Sequence, residues 1–278
     1  MAEVAAALER RAEVVIRQTE ARGHAEELAA EAAEHADAIV LFSGDGTYNE
    51  AINGAGGRLP FGFVPGGGTS VFPRALGLPR DPVAAAARVA DALAAGRIRS
   101  IALGRVNGRR FCFSAGIGFD AEAVRRVDRR GRDHEGRRAS NLTFFAVVAG
   151  LVLESRLRMA SKLDVDGYGR ATFILVANGH PYTYAGPVPV EIAGRADFSG
   201  GLDFVAPREI VPAAVPLLVV RMFRGTMGND GRVLAGHDLD TIRVRCDRPL
   251  PLQADGEDLG DVTEALFESE RDALTVLV

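Results

Sequence analysis

Residues 41–57, LFSGDGTYNEAINGAGG, decide how this chain folds. The apolar segment DAIVLF (37–42) leads into a Gly-Asp-Gly-Thr turn, and a helical pattern follows the turn. A short apolar run bounded in this way is typical of a buried parallel strand in an α/β protein. The turn is either an ordinary strand-to-helix connection or a loop whose backbone N–H groups bind phosphate.

The first hundred residues alternate between helical and strand patterns, which predicts a parallel sheet covered by helices. The predicted helices are 2–11, 23–36 and 82–96, with Gly96 as a C-cap, and the predicted strands are 13–19, 38–42 and 60–64.

From about residue 99 the pattern changes to short apolar strands at close spacing, which indicates antiparallel pairing. Asn107-Gly108 is a predicted hairpin turn, and residues 120–158 have a mainly helical pattern. The sequence therefore predicts an α/β domain at 1–98, and the last predicted strand, 273–278, returns to this domain. The second predicted domain, 99–272, is β-rich, antiparallel and sandwich-like.

Composition limits the classes of function. The chain has 278 residues, a net charge of −4 and one lysine, Lys162, so neither nucleic-acid binding nor a Walker-type phosphate loop is expected. Cys112 and Cys246 are either paired or buried free thiols, and free thiols of a cytoplasmic protein are the preferred interpretation. The start of the chain has no secretory pattern, and the apolar runs 144–153 and 212–220 are shorter than the roughly 20 residues of a membrane span, so contact with lipid is expected to be peripheral.

A second glycine-rich turn, VPGGGTSVFPRALGLP (64–79), also follows an apolar strand. Two such turns one strand–helix unit apart are expected side by side at the carboxyl edge of a parallel sheet, where α/β proteins bind ligands. Arg74 is interpreted either as a clamp for phosphate oxygens or as a solvated helix residue.

An acidic pair lies late in the chain, in PLQADGEDLG (251–260). Asp255 and Glu257 flank a glycine near the end of a strand, where a carboxylate can serve as a general base toward a hydroxyl. The alternative is a hairpin turn with two solvated acids.

Four segments occur together in a familiar order: SGDGTYNEAING (43–54), PGGGTSVFPRAL (65–76), GIGFDA (116–121) and DGE (255–257). In these segments the chain resembles the diacylglycerol kinase catalytic-domain family, which includes bacterial lipid kinases and sphingosine kinases and is related to NAD kinase. The resemblance implies an N-terminal nucleotide domain, a β-rich C-terminal domain and an active site in the cleft. It also implies ATP, Mg²⁺ and a lipid hydroxyl as acceptor.

The resemblance also implies roles for individual residues. Glu257 would be the base, and Asp45 would act in catalysis as well as at the nucleotide. Asp120, Arg74 and Asp255 would support the site. The residues expected to bind ATP are Thr19, Ser43, Gly44, Asp45, Gly46, Thr47, Asn49, Gly67, Gly68 and Thr69.

The chain departs from the family pattern at several positions. Ser70 and Pro73 stand where the family has an asparagine and a small residue, and Ser199, with Asp197 and Asp203 nearby, stands where the family has an acid tied to a structural Mg²⁺. Family members begin with an apolar strand and an Asn-Pro loop, whereas this sequence begins in the helix that follows them. If the chain is complete as written, a weaker ATP site and an exposed sheet edge are expected.

Three readings of the function follow from these observations. The first is an ATP-dependent lipid kinase acting on a lipid at the membrane surface, on the inner face. The second is a catalytically weak relative that binds lipid or nucleotide, and a kinase of another acceptor such as NAD is a third reading. An unpaired sheet edge would favour a homodimer. The arginine-rich segment 125–138 either docks on anionic headgroups or is a solvated loop.

Overall fold

The computed structural model describes residues 1–129, 147, 150, 154, 160–186 and 188–278. The chain divides into two compact units: Met1–Leu103 with Arg271–Val278, and Gly104–Glu270. The sequence placed the boundary near residue 98 and the return of the chain at residue 273.

The first unit is an α/β layer around two parallel strands. The strands pair in register from Ile39 with Phe61 to Ser43 with Pro65, and Val276 pairs in parallel with Phe61 on the other side. The elements are helices α1 Ala2–Glu9, α2 His24–Ala32, α3 Asp45–Ala55, α4 Val71–Ala75 and α5 Pro82–Ala94, and strands β1 Ile39–Ser43 and β2 Phe61–Pro65.

Helix α5 shows how local sequence sets the elements of this unit. Asp81 caps its N-terminus by accepting a hydrogen bond from the Ala84 N–H at 2.8 Å, and Pro82 occupies the first turn. Gly96, with φ of +63°, adopts the left-handed conformation just after the helix, as predicted. The buried face of α5 packs with α1 and Val64 of β2 in one apolar cluster.

The strand predicted at 13–19 is wrong, because residues 13–20 have no regular secondary structure. Val15 and Ile16 are 75% and 51% exposed, and Thr19 is exposed. Their strand propensity is not realised, since a strand needs a neighbour that supplies backbone hydrogen bonds and packing.

The second unit is antiparallel. Strand β3 Ile98–Val106 enters it from the first unit, and β3 turns into β4 through Asn107-Gly108, whose φ angles are +48° and +91°. This is the predicted hairpin turn. The remaining elements are β4 Arg109–Phe111, β5 Ser114–Ile117, α6 Phe119–Arg129, β6 Leu163–Val165, β7 Gly169–Ala171, β8 Ile174–Ala177, β9 Thr183–Ala185, β10 Val188–Val190, β11 Leu202–Pro207, α7 Val215–Phe223, β12 Val233–Leu239, β13 Thr241–Ala254 and β14 Glu257–Leu277.

In this unit the strands follow one path, β14-β13-β5-β8-β11-β12, with β6 and β7 beside β13 and a separate β9-β10 pair. The apolar core of this unit contains the fully buried side chains of Phe111, Ile117, Phe204 and Phe267. Parallel strands in the N-terminal part and antiparallel strands in the C-terminal part are therefore confirmed. The sandwich-like arrangement stays a prediction.

Helix α6 confirms the start of the helical region predicted at 120–158. Most of the rest, including the arginine-rich segment after Arg129, lies outside the described residues. Within the described part of the chain, no helix has the length and apolarity of a membrane span.

Candidate functional site

The two glycine-rich turns lie in backbone contact, as the sequence predicted. The Gly66 N–H donates to the Ser43 carbonyl at 2.7 Å. A Cβ atom at Gly67 would lie 2.9 Å from the Gly44 Cα, and one at Gly66 would lie 3.0 Å from the Ser43 Cα. Glycine is therefore required at 67, because real Cβ atoms do not approach another backbone this closely, and a Cβ atom at 66 would fit only if the first turn moved slightly.

Asp45 joins the two turns. Its carboxylate oxygens accept hydrogen bonds from the Val71 and Phe72 N–H groups, each at 2.9 Å, and so satisfy the first backbone donors of α4. This contact positions the second turn. The catalytic role of Asp45 stays a prediction.

Tyr48 is a structural residue of the site that sequence reasoning missed. Its hydroxyl lies 2.6 Å from the Ser43 carbonyl oxygen and 2.7 Å from that of Val64, so it bridges the ends of β1 and β2. The side chain is fully buried, and burial, with a further contribution from the charge of Asp45, raises the pKa of Tyr48 well above its usual value. The only sequence signal for Tyr48 is that an aromatic residue stands among small and polar residues at the start of α3.

A cleft of about 250 Å³ opens beside the second turn. Arg74 and Arg80 bring two guanidinium groups to it, and Arg80 was not identified from the sequence. The lining residues are Phe42, Pro65, Gly66, Gly67, Gly68, Thr69, Ser70, Arg74, Arg80 and Pro82. We call this space the glycine-turn cleft.

The glycine-turn cleft has the chemistry of an anion site. A Cβ atom at Gly68 would meet nothing within 4 Å, so the backbone there is open to a ligand. Arg74 lies beside the turn, with its Nη1 3.5 Å from the Thr69 carbonyl oxygen, and guanidinium groups match phosphate oxygens in shape and charge. The residues present therefore fit a nucleotide phosphate.

Ser70, which stands where the family pattern has an asparagine, adopts an unusual backbone conformation. It has φ of +46° and ψ of +61°, the left-handed conformation, directly before α4. Asparagine adopts this conformation more readily than serine, so an asparagine here would be less strained. Ser70 compensates with a hydrogen bond from its hydroxyl to the Gly67 carbonyl at 3.2 Å.

Other residues predicted to bind ATP lie away from this lining. Thr19 is exposed outside regular structure, and Asn49 is 1% exposed, with its Oδ1 accepting from Asn53 Nδ2 at 3.2 Å. Thr47 accepts a hydrogen bond from the Ser43 hydroxyl at 2.9 Å. The structure thus places Thr19 outside the two turns and buries Asn49, and the roles of Thr19, Thr47 and Asn49 in binding ATP stay predictions. Gly46 lies in the first turn of α3.

In the second unit, Asp255 and Gly256 form the hairpin turn between β13 and β14, with φ of +48° and +77°. The acids beside it are not solvated. Asp255 is 2% exposed, and its carboxylate accepts hydrogen bonds from the N–H groups of Cys112, Phe113 and Ser114 at 2.6, 3.0 and 3.2 Å. Asp255 therefore supports the turn by binding the segment before β5.

Glu257 is the first residue of β14 and is 7% exposed. The Arg109 Nη2 lies 3.6 Å from its Oε2.

Asp120 connects to the turn that carries Glu257. Its carboxylate accepts hydrogen bonds from the Tyr182 hydroxyl and from Gln253 Nε2, the latter at 2.6 Å, and Gln253 Oε1 accepts from the Gly256 N–H at 2.9 Å. Burial raises the pKa of Asp120 to about 6, and the two hydrogen bonds oppose that shift. Burial and the charge of Asp120 also raise the pKa of Tyr182.

We expect Asp120→Asn to flatten the pH dependence of stability. The folded chain holds a proton on Asp120 up to a pKa of about 6, against 3.8 for an ordinary aspartate. The stability from this group is therefore fully present below pH 3.8 and is lost as pH rises through 6. Two pKa units correspond to at most about 3 kcal/mol. Urea unfolding of both proteins across this range measures the difference, and parallel curves would contradict the assignment.

The structural Mg²⁺ site that the family implies does not fit the residues present. Asp203 accepts from His237 Nδ1 at 2.8 Å and from the Asp238 N–H at 2.9 Å, while Asp197 accepts from the Ser199 N–H at 3.0 Å. Both carboxylates thus already accept hydrogen bonds from N–H donors. Among the described residues, no group of three or more His, Cys, Asp or Glu side chains has the arrangement of a metal site.

Comparison with known proteins agrees with this geometry. Residues 1–106 match the family model described as "Diacylglycerol kinase catalytic domain". A curated diacylglycerol kinase of Bacillus subtilis is 40% identical over 104 residues, which are 36% of this chain and 33% of that protein. A crystal structure described as a diacylglycerol kinase of Bacillus anthracis covers 100% of this chain and 88% of its own, at 21% identity and a TM-score of 0.67.

A structure of an NAD kinase from Archaeoglobus fulgidus in complex with ATP is also similar. It has a TM-score of 0.52 at 13% identity and covers 100% of this chain and 88% of its own. The curated relatives match over a third to just over half of their own length, from 33% to 56%.

The fold defines an α/β protein in which two glycine-rich turns lie together beside a cleft lined in part by Arg74 and Arg80. Residues 1–106 carry the match to the diacylglycerol kinase catalytic domain family, and the similar curated proteins are bacterial diacylglycerol and lipid kinases. The resemblance stated from the four sequence segments is thereby confirmed. The family implies kinase activity and the use of ATP.

Proposed function

We propose that this protein is an ATP-dependent lipid kinase that transfers the γ-phosphate to the hydroxyl of a lipid such as diacylglycerol or a sphingoid base. One observation carries the proposal. Asp45 fastens two glycine-rich turns together beside a cleft that contains Arg74 and Arg80, in a chain whose first 106 residues match the kinase family.

In the proposed reaction, the glycine-turn cleft binds the ATP phosphates through backbone N–H groups of the second turn and the guanidinium groups of Arg74 and Arg80. Glu257 accepts the proton of the lipid hydroxyl, whose oxygen forms a bond to the γ-phosphorus as the bond to the β-phosphate oxygen breaks and ADP leaves. Mg²⁺, bound through the phosphate oxygens, would neutralise their charge. Asp120 and Asp255 hold the turn that positions Glu257.

A second candidate is a catalytically weak relative that binds nucleotide or lipid. The left-handed conformation of Ser70 favours it, because strain at that position loosens the turn that would hold phosphate. The proposed setting in either case is the cytoplasmic face of the inner membrane, with lipid as partner and a homodimer as the proposed assembly.

The function is tested by incubating the full chain with γ-labelled ATP and Mg²⁺ and with three acceptors in turn. These are diacylglycerol in detergent micelles, sphingosine in detergent micelles, and NAD. Label in one of the two lipids supports the lipid kinase. Label in NAD would show that the protein is a kinase of NAD rather than of a lipid. Calorimetric binding of ATP without label in any acceptor supports the weak relative.

A further inference from the structure

Helix α7, Val215–Phe223, is apolar on both of its sides. On the inner side Leu218 is 9% exposed and packs, with Val215 and Met222, into a cluster that contains Ile192. On the outer side the exposed large side chains are Leu217 at 43%, Val219 at 44%, Val220 at 46% and Phe223 at 40%.

The outer residues of α7 form one continuous face. At about 100° per residue, the exposed positions from 216 to 223 span an arc of about 160°. Single exposed apolar residues are ordinary, whereas an apolar face of this kind marks a contact surface. We call Leu217, Val219, Val220 and Phe223 the α7 apolar face.

Two arginines, Arg221 and Arg224, lie at the C-terminal end of this helix, and the carboxylate of Glu191 lies next to Gly225. Residues 208–232 contain four arginines and two acids, in a chain whose net charge is −4. One of the acids, Asp230, is 7% exposed and is paired with Arg221 at 2.8 Å and Arg232 at 2.7 Å. Arg224 is exposed at the end of the helix. The charge that reaches solvent here is therefore mainly positive.

We propose that the α7 apolar face docks on an anionic lipid bilayer. An apolar helix face bordered by arginines is the pattern of helices that lie in a membrane interface, where the apolar side chains enter the acyl region and the cations meet headgroup phosphates. Nine residues extend about 14 Å, enough to lie in the interface and too short to cross the bilayer. The inference rests on the proposed function only in that a lipid acceptor would reside in such a bilayer.

The test is sedimentation of the full chain with phosphatidylcholine vesicles, with and without phosphatidylglycerol, and without ATP or an acceptor lipid. We expect binding that increases with phosphatidylglycerol. The double variant Leu217→Glu with Val220→Glu is expected to lower the vesicle partition coefficient at least about tenfold, because two charges enter the apolar region. Val15→Glu with Ile16→Glu is the matched control, since it makes the same charge change at two exposed apolar residues of the first unit.

The variants are checked by circular dichroism and by sedimentation velocity. Arg224→Gln is a second probe that leaves the apolar face intact and is expected to reduce only the dependence on phosphatidylglycerol. Equal binding by wild type and the α7 double variant, or no binding by wild type, would overturn the proposal. So would a wild-type dimer that the α7 double variant dissociates, because the occupant of the face would then be a second copy of the chain.

The micellar kinase assay distinguishes this proposal from the proposed function. An α7 double variant that phosphorylates lipid in micelles and fails to bind vesicles supports both. Vesicle binding that is lost in the variant, combined with no kinase activity in wild type, supports the docking surface and contradicts the kinase.

Discussion

Glu257→Gln is expected to lower kcat for lipid phosphorylation by about 10²- to 10⁴-fold, the range that a general base contributes. Glutamine keeps the size and the hydrogen-bonding reach of glutamate and loses its ability to take a proton at neutral pH. Glu257 is 7% exposed at the start of β14, beside Arg109, so the neutral amide replaces the carboxylate without moving the turn. Steady-state kinetics with diacylglycerol in micelles measure the loss.

Two further measurements make this result specific. Calorimetric titration with ATP is expected to give the same dissociation constant for both proteins, because Glu257 is proposed to act on the lipid hydroxyl, and the residues proposed to bind the ATP phosphates line the glycine-turn cleft. Glu264→Gln is the matched control, an exposed glutamate on the same strand, and it should keep the wild-type rate. A Glu257→Gln protein within twofold of wild type would remove Glu257 from the mechanism.

Asp255→Ala is expected to lower the free energy of unfolding by about 3 kcal/mol or more. The carboxylate is 2% exposed and accepts hydrogen bonds from three backbone N–H groups, those of Cys112, Phe113 and Ser114. Alanine leaves these buried donors without their charged acceptor, and each unsatisfied donor costs free energy because water cannot replace the lost partner. Urea unfolding followed by circular dichroism measures the change.

Asp255 also has φ of +48°, so part of any loss would arise from placing alanine in the left-handed conformation. Asp272→Ala measures that part, because Asp272 has φ of +52° and is exposed. The difference between the two variants reports the buried hydrogen bonds. Equal losses in both would mean that the contact with residues 112–114 contributes nothing to stability.

The two-turn architecture was predictable because each turn is encoded locally. An apolar run, a glycine-rich turn and a helix follow one another in sequence at 39–55 and again at 61–75, and the two strands become parallel neighbours. The hairpin at Asn107-Gly108 is local in the same way, since its backbone angles suit those two residues. The strand predicted at 13–19 failed because a strand depends on a partner that the local sequence does not specify.

The site was only partly predictable. The sequence identified Arg74, Glu257 and both glycine-rich turns, and it missed Tyr48 and Arg80, whose side chains carry no motif of their own. The sequence left two interpretations of Asp255 and Glu257, as functional acids or as solvated acids of a hairpin turn. In the structure these residues do form a hairpin turn, and both acids are buried rather than solvated.

The sequence by itself therefore determined the resemblance to the family, the two neighbouring strand–turn–helix units and the residue types at the glycine-rich turns, because period, turn chemistry and motif spacing are properties of neighbouring residues. The tertiary structure alone decided that Asp45 binds Val71 and Phe72, that Asp255 binds the segment before β5, and that α7 keeps an apolar face in solvent. These features join or expose residues far apart in the chain, and their positions follow only when the packing of the whole unit is fixed.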